Sequence, residues 1–162
     1  MQIDLCIEIA KFLKKHDINI AIDTCGFVSR STIEKIIPYA DAFLFDIKSI
    51  DEKTHIFCTG VSNKIILENI KYVDSLDIPI EIRYPYIPTM NDNEAEKVAE
   101  FVKELKSVKT IKILPYHNYA ENKYESLGLE YSLSDILPPT KEEILDVAKK
   151  MQNISLKNVV TY

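Results

Sequence analysis

A chain of 162 residues, 46% hydrophobic and 28% charged, is long enough for one domain with its own core and is ordinary in composition for a globular protein. Its net charge of -5 argues against nucleic acid or an anionic membrane as the main partner, and no apolar run approaches the ~20 residues that span a bilayer. Three cysteines without metal-ligand spacing (Cys6, Cys25, Cys58) and an N-terminus without a basic stretch indicate reduced thiols in a cytoplasmic protein, and 3 glycines are too few for a glycine-rich phosphate loop.

Ile3, Cys6, Ile7, Ala10 and Leu13 fall on one helical face, and Lys14 and Lys15 suit the C-terminal end of that helix's dipole. Residues 18–22 read as a short buried strand, 31–37 as a short helix stopped at Pro38, and 42–47 as a second strand. Ser62 is placed to cap a helix with the stripe Ile66, Ile70 and Val73. Residues 78–84 alternate as a strand does, with Pro79 at its start, where proline is tolerated. A helix over 93–106 turns Ala95, Val98, Val102 and Leu105 inward, and a fourth strand covers 108–116. Thr140 and Glu143 form a capping-box pattern ahead of Ile144, Val147 and Met151, and 158–162 reads as a last short strand.

Strands separated by helices at intervals of roughly 25 to 35 residues fit successive βα units and a parallel sheet, here a single α/β domain over residues 1–162. The stretches 85–93 and 118–139 are loops on the strand-end side, and the second has the length of a functional or disordered loop.

Four motifs fall where predicted strands end: Ile22-Asp23-Thr24-Cys25-Gly26, Phe45-Asp46-Ile47-Lys48, Ile82-Arg83-Tyr84 and Leu114-Pro115-Tyr116-His117. In a parallel βα barrel, residues just past the carboxyl ends of strands face a common site. Asp23 is either a turn cap, with Thr24 and Gly26 shaping the turn, or one of two carboxylates with Asp46 facing a single cation or amine. Asp46 and Lys48 share a strand face, and a lone pair of this kind reads first as a simple ion pair. Arg83 is either paired in the core or aimed at the barrel mouth, where its fork suits a carboxylate or a peptide backbone. His117 is a candidate ligand or catalyst, whereas His16 and His55 read as surface residues of helices.

Taken in order, these strings are more specific than any one alone. Together with Thr59-Gly60-Val61-Ser62-Asn63, Ile66-Leu67-Glu68-Asn69, Pro88, Lys123-Tyr124-Glu125 and Leu127-Gly128, they resemble the radical S-adenosylmethionine activating enzymes of glycyl radical enzymes, the pyruvate formate-lyase activating enzyme family. The resemblance runs over essentially the whole chain. It implies a partial (β/α) barrel of the radical SAM type, with S-adenosylmethionine lying across the ends of parallel strands. Asp46 and Lys48 match the family's DxK pair at the cofactor, and His117 matches the histidine of its LPYH motif, also at the cofactor. Asp23, Thr24 and Asp46, with the backbone of Leu44, match a monovalent-cation site. Arg83 matches an arginine facing the substrate glycine loop. In the family, a reduced [4Fe-4S] cluster cleaves the cofactor, and the 5′-deoxyadenosyl radical takes a hydrogen atom from a glycine of the partner enzyme.

The sequence departs from that pattern at one point. The family holds its cluster by CxxxCxxC and the methionine amine by Gly-Gly-Glu, and neither string occurs here. The chain therefore reads as the C-terminal two-thirds of such an activase, missing the first two strands of the barrel and inactive alone, with no cofactor expected to bind it tightly. The alternative is a non-catalytic remnant or split-enzyme module that docks a glycyl radical enzyme. An unrelated aldolase-like barrel with Lys48 as Schiff-base lysine is a third, less consistent with the ordered motifs. Loss of two strands would leave the strand at 18–22 as an apolar edge, through which the chain self-associates unless its first helix covers it.

Overall fold

The computed structural model describes residues 2–161. Its elements are α1 (Ile3–Lys14), β1 (Ala21–Thr24), α2 (Arg30–Ile36), β2 (Ala42–Asp46), α3 (Glu52–Thr59), α4 (Lys64–Ser75), β3 (Ile80–Tyr86), α5 (Ala95–Lys103), β4 (Val108–Pro115), α6 (Glu121–Ser126), α7 (Lys141–Ser155) and β5 (Asn158–Val160). Short 3-10 turns follow α2 at Ile37–Tyr39 and precede α5 at Asp92–Glu94. The strands form one sheet in the order β1-β2-β3-β4-β5, and every neighbouring pair is parallel.

Sequential order has a geometric consequence. Crossovers between parallel strands are right-handed, so laying each strand beside the one before puts all the connecting helices on one face of the sheet. The burial of alternate side chains follows. On the helix-covered face, Phe43 and Phe45 of β2, Ile80, Ile82 and Tyr84 of β3, and Ile111 and Ile113 of β4 are all at most 2% exposed. The rings of Phe43 and Phe45 stack with centroids 5.3 Å apart. Each such side chain contributes about 1.5–3 kcal/mol by leaving water. Val98, Val102, Ile144 and Met151 close the core from α5 and α7. The opposite face carries Asp23, Leu44, Asp46, Glu81, Arg83 and Lys112, which the register aligns across β1 to β4. The parallel βα sheet is the one expected from the spacing of strands and helices, and its fold is the α/β partial barrel that the resemblance implies.

Several boundaries move. The first strand is Ala21–Thr24 rather than 18–22, so Asp23 and Thr24 lie inside it and not beyond its end. The apolar run before it ends in a connector, where the carbonyl of Ile20 accepts the amides of Asp41 and Ala42. β3 continues through Pro85 to Tyr86, two residues past the expected stop. Proline offers no N–H, yet the strand survives because the Pro85 carbonyl takes a hydrogen bond from Asn91 and the Tyr86 carbonyl takes one from the Tyr116 amide. α5 is shorter than the expected 93–106, and Cys6 of α1 is exposed while Ala10 is buried. The helix at 64–75 has Asn63 at its N-cap position, and Ser62, one residue earlier, still accepts the Lys64 amide at 3.2 Å while donating to Glu52 at 2.7 Å.

α3 has a weak apolar stripe and is set by its ends: Asp51 accepts the Thr54 amide at 2.8 Å, and Gly60 closes it with φ of 78°. Its His55 is only 3% exposed, against the expectation of a surface residue, because the Nδ1–H donates to the Val61 carbonyl at 2.8 Å and the ring is covered by the turn. His16 is exposed as expected, with its ring tilted against that of Phe12 at a centroid distance of 4.7 Å. Among the described residues, β1 is hydrogen-bonded to β2 alone, and α1 packs on α2 and the Ile37–Tyr39 turn while leaving Leu5, Ile9 and Phe12 more than half exposed.

Candidate functional site

The singled-out residues lie toward the carboxyl ends of β1, β2 and β4, whereas Arg83, expected at a strand end, is midway along β3 because that strand runs on to Tyr86, and it lies in register with Asp46. The turn leaving β1 is built on Gly26, whose φ of 73° lies in the left-handed region and whose missing Cβ would meet the Phe45 ring at 3.1 Å. Thr24 Oγ1 accepts the Gly26 amide at 3.0 Å, which shapes the same turn. By register Thr24 pairs with Phe45 and shares its helix-covered face, whereas Asp23 pairs with Leu44 and lies on the open face with Asp46. The structure thus brings Asp23 and Asp46 onto one face of adjacent strands, and it turns the Thr24 side chain away from them.

At the end of β2, Lys48 Nζ donates to Asp46 Oδ2 at 3.1 Å, with the two side chains 36% and 29% exposed. A pair this wet stabilises by at most about 1 kcal/mol, so its place at the strand ends needs an account other than stability. Beside it lies a cavity of about 220 Å³ lined by Cys25, Phe27, Asp46, Lys48, His55 and Val61 among others. That volume suits a fragment of a cofactor rather than a whole one, since complete small-molecule sites run from about 300 Å³ upward.

Arg83 spans the open face. Its Nη1 reaches across β2 to Asp23 Oδ2 at 2.7 Å, and its Nε meets Glu81 Oε1 at 3.2 Å. Desolvation works against the guanidinium charge, but the hydrogen bonds and fields of Glu81 and Asp23 outweigh it, and the Arg83 pKa rises above its ordinary value. Both readings of Arg83 are therefore partly met: it is paired, and it lies on the open face. His117 stands two residues beyond β4, exposed, with its imidazole stacked on Tyr119 at 4.2 Å. Tyr116 ties the following segment down. Its hydroxyl lies 2.9 Å from that of Tyr131 and donates to the Leu133 carbonyl, and desolvation followed by the Tyr131 contact pushes its pKa up to about 12.

The residues that sequence reasoning missed sit one layer further in. Asn63, Asn91 and Glu94 are 2%, 2% and 0% exposed and hold the turn after Lys48. Asn69, in the same layer, donates from Nδ2 to the carbonyls of Gly26 and Val28. Asn63 and Asn69 stand in two of the strings that carry the family resemblance, though without a role assigned to them there, whereas Asn91 and Glu94 sit among polar and acidic residues that give no sign of burial.

A sequential parallel βα sheet with charged side chains at the strand ends is the frame of a cofactor-using half-barrel. The chain belongs to the Radical SAM superfamily, whose defining pattern matches residues 1–102. It is 35% identical over 150 residues to the trans-4-hydroxy-L-proline dehydratase activating enzyme of Clostridioides difficile, covering 90% of this chain and 49% of that one. It is also 35% identical over 159 residues to the pyruvate formate-lyase-activating enzyme of Streptococcus mutans serotype c, covering 93% of this chain and 60% of that one. In three dimensions it is similar to a domain of the pyruvate-formate lyase-activating enzyme from Bacteroides vulgatus ATCC 8482, with a TM-score of 0.82 and 24% identity over 99% of this chain and 91% of that one. The chain spans about half the length of the curated relatives it matches.

Of the two cofactors the family implies, the residues present fit only one. Asp46 and Lys48, side by side at the mouth of a partly apolar cavity, offer one charge of each sign to an amino-acid zwitterion. An iron–sulfur cluster needs converging thiolates. Cys6 and Cys25 are exposed on separate elements, Cys58 lies on α3, and among the described residues no three His, Cys, Asp or Glu side chains converge on a metal position.

Proposed function

We propose that this chain is the part of a glycyl radical enzyme activase that contacts S-adenosylmethionine and faces the substrate, and that it does not cleave the cofactor by itself. The observation that carries this reading is the joint placement of Asp46 and Lys48 at the end of β2, Arg83 in register with Asp46 on β3, and His117 just beyond β4, in the chain order of the family's motifs. In this role Lys48 and Asp46 bind the charged groups of the cofactor, and His117 adds an exposed ring beside them. Arg83, held over the open face by Asp23 and Glu81, presents its remaining donors to a peptide backbone. Asp23 and Asp46 together give a monovalent cation two carboxylates, and Thr24 supplies its backbone rather than its hydroxyl.

The partner on this reading is a glycyl radical enzyme, met by the strand-end face and the segment that follows β4. Tyr119, Leu127, Leu129 and Leu137 of that segment are all more than half exposed, an apolar surface in keeping with a protein contact. Residues 1–162 are taken as one domain, a reading supported by the apolar cluster that the described residues form. Free cysteines at 6, 25 and 58 accord with a reducing cytoplasm, and no described helix is long and apolar enough to cross a membrane.

The test is an amide NMR titration of the chain with S-adenosylmethionine. Saturable shifts of Asp46, Lys48 and His117 are expected, and Lys48→Ala should abolish them with the fold intact. No shift at any soluble concentration would refute the reading. Anaerobic treatment with iron and sulfide should leave the chain without a stoichiometric cluster.

A further inference from the structure

The loop that leaves β2 after Lys48 is held in an unusual way. Its peptide groups are bonded by buried side chains from three other parts of the chain. Asn91 Nδ2 donates to the Lys48 carbonyl at 2.8 Å. Asn63 Nδ2 donates to the Ser49 carbonyl at 3.0 Å and to the Ile50 carbonyl at 2.8 Å. From the opposite side, Glu94 Oε2 accepts the Ile50 amide at 2.9 Å and the Asp51 amide at 2.8 Å, and the Ser49 hydroxyl at 2.8 Å. Three carbonyls and two amides in four consecutive residues are thus fixed by Asn63, Asn91 and Glu94.

Glu94 is the costly member. It is 0% exposed, and an ionised carboxylate in that position loses its hydration. Four donors replace the water, the fourth being Lys97 Nζ, 2.6 Å from Oε1. Desolvation raises the Glu94 pKa, and these donors more than reverse it, so the group is held below the ordinary carboxylate range and stays charged. Asn91 is fixed in turn, with its own carbonyl accepting from the Tyr84 hydroxyl and its Oδ1 from the Ile87 amide at 2.8 Å. The Asp46–Lys48 pair is only partly buried, with the two side chains about a third exposed, so packing alone does not set its direction. Its backbone is where its position is decided.

We propose that Glu94, with Asn63 and Asn91, is a positioning residue for the Asp46–Lys48 pair: its buried carboxylate locks residues 49–51 and thereby fixes where both charges stand at the cofactor cavity. This rests on the reading of that pair as the S-adenosylmethionine contact. Sites of this kind tolerate misplacement of only about 0.5 Å, and loss of a positioning group is expected to weaken ligand binding about ten-fold or more.

The experiment compares wild type, Glu94→Gln and Val102→Ala, the last a buried α5 residue far along the core that lowers stability without touching the loop. Amide spectra are recorded without ligand and during titration with S-adenosylmethionine, all at a temperature where every variant is folded. Glu94→Gln should displace the Asp46, Lys48, Ile50 and Asp51 signals in the free chain and raise the dissociation constant about ten-fold. Val102→Ala should leave those signals and the affinity in place. If wild type binds no S-adenosylmethionine, the cofactor reading fails, and the positioning role is still decided by the Asp46 and Lys48 signals of the free chain. Unmoved signals in Glu94→Gln, or equal movement in Val102→Ala, would overturn it. Should Glu94→Gln not fold, Ser49→Ala removes one donor and keeps the carboxylate, and it must show the same displacement in smaller measure.

Discussion

Replacing Asn69 by alanine is expected to be among the most damaging single changes to the turn after β1, which bears Cys25 and Gly26. Asn69 is 1% exposed on α4, and its Nδ2 donates to the Gly26 carbonyl at 3.0 Å and the Val28 carbonyl at 2.8 Å. Two neutral hydrogen bonds contribute about 1 kcal/mol each, and stranding buried acceptors adds to that, for a loss of about 2–4 kcal/mol. In a domain of this size each kcal/mol moves the melting temperature by about 2–4 °C, so a drop of about 5–15 °C follows. Asn69→Asp should be worse still, because a carboxylate would face two carbonyl oxygens with nothing to donate. The assay is thermal and urea denaturation followed by far-ultraviolet circular dichroism, with exposed Asn153→Ala as the comparison. A loss below about 0.5 kcal/mol for Asn69→Ala, the range of ordinary surface changes, would show that the two bonds do not hold the turn.

Gly26→Ala should cost about 1–3 kcal/mol in the same denaturation assay, from left-handed strain and the close approach to the Phe45 ring; a neutral result would mean the turn can flip. Thr140→Ala removes the capping box with Glu143 at the start of α7 and should lower stability by about 1 kcal/mol. Glu94 has a folded pKa below its ordinary 4.5, so its contribution is complete above that pH and lost as pH falls through the depressed value; below pH 4.5 Glu94→Gln should show a flatter stability profile than wild type. Among the described residues β1 has no strand on its outer side, and with the exposed Leu5, Ile9 and Phe12 it is expected to give self-association, which light scattering checks across concentration; a strict monomer with Phe12→Asp indistinguishable from wild type would refute it.

Signals that are local in the chain proved legible before the structure. Thr140 and Glu143 are three residues apart, and they form the capping box at the expected start of α7. The alternation in 42–47 and 108–116 gives β2 and β4 to within a residue at each end. Long-range information was not legible. Arg83 and Asp23 were each singled out, but their 2.7 Å pairing joins residues 60 apart and depends on the register of three strands. His55 looked like a surface residue because its partner is a backbone carbonyl six positions on, in a turn with no strong signature. Glu94 is the extreme case: one acidic residue among three in 92–96, distinguished only by a loop 43 residues earlier folding onto it.

The alternation in β3 writes two messages on one string. Ile80, Ile82, Tyr84 and Tyr86 speak to the helices, and Glu81 and Arg83 to whatever enters from the open side. Substitutions can drift along either track alone, so chemistry can diversify among relatives while the apolar track keeps the architecture. Insertions cannot. One residue added or lost in this strand would trade the Tyr84 ring for the Arg83 guanidinium, burying a charge and exposing an aromatic at once. Added length is tolerated instead in connectors such as 118–139, where no sheet register has to be kept.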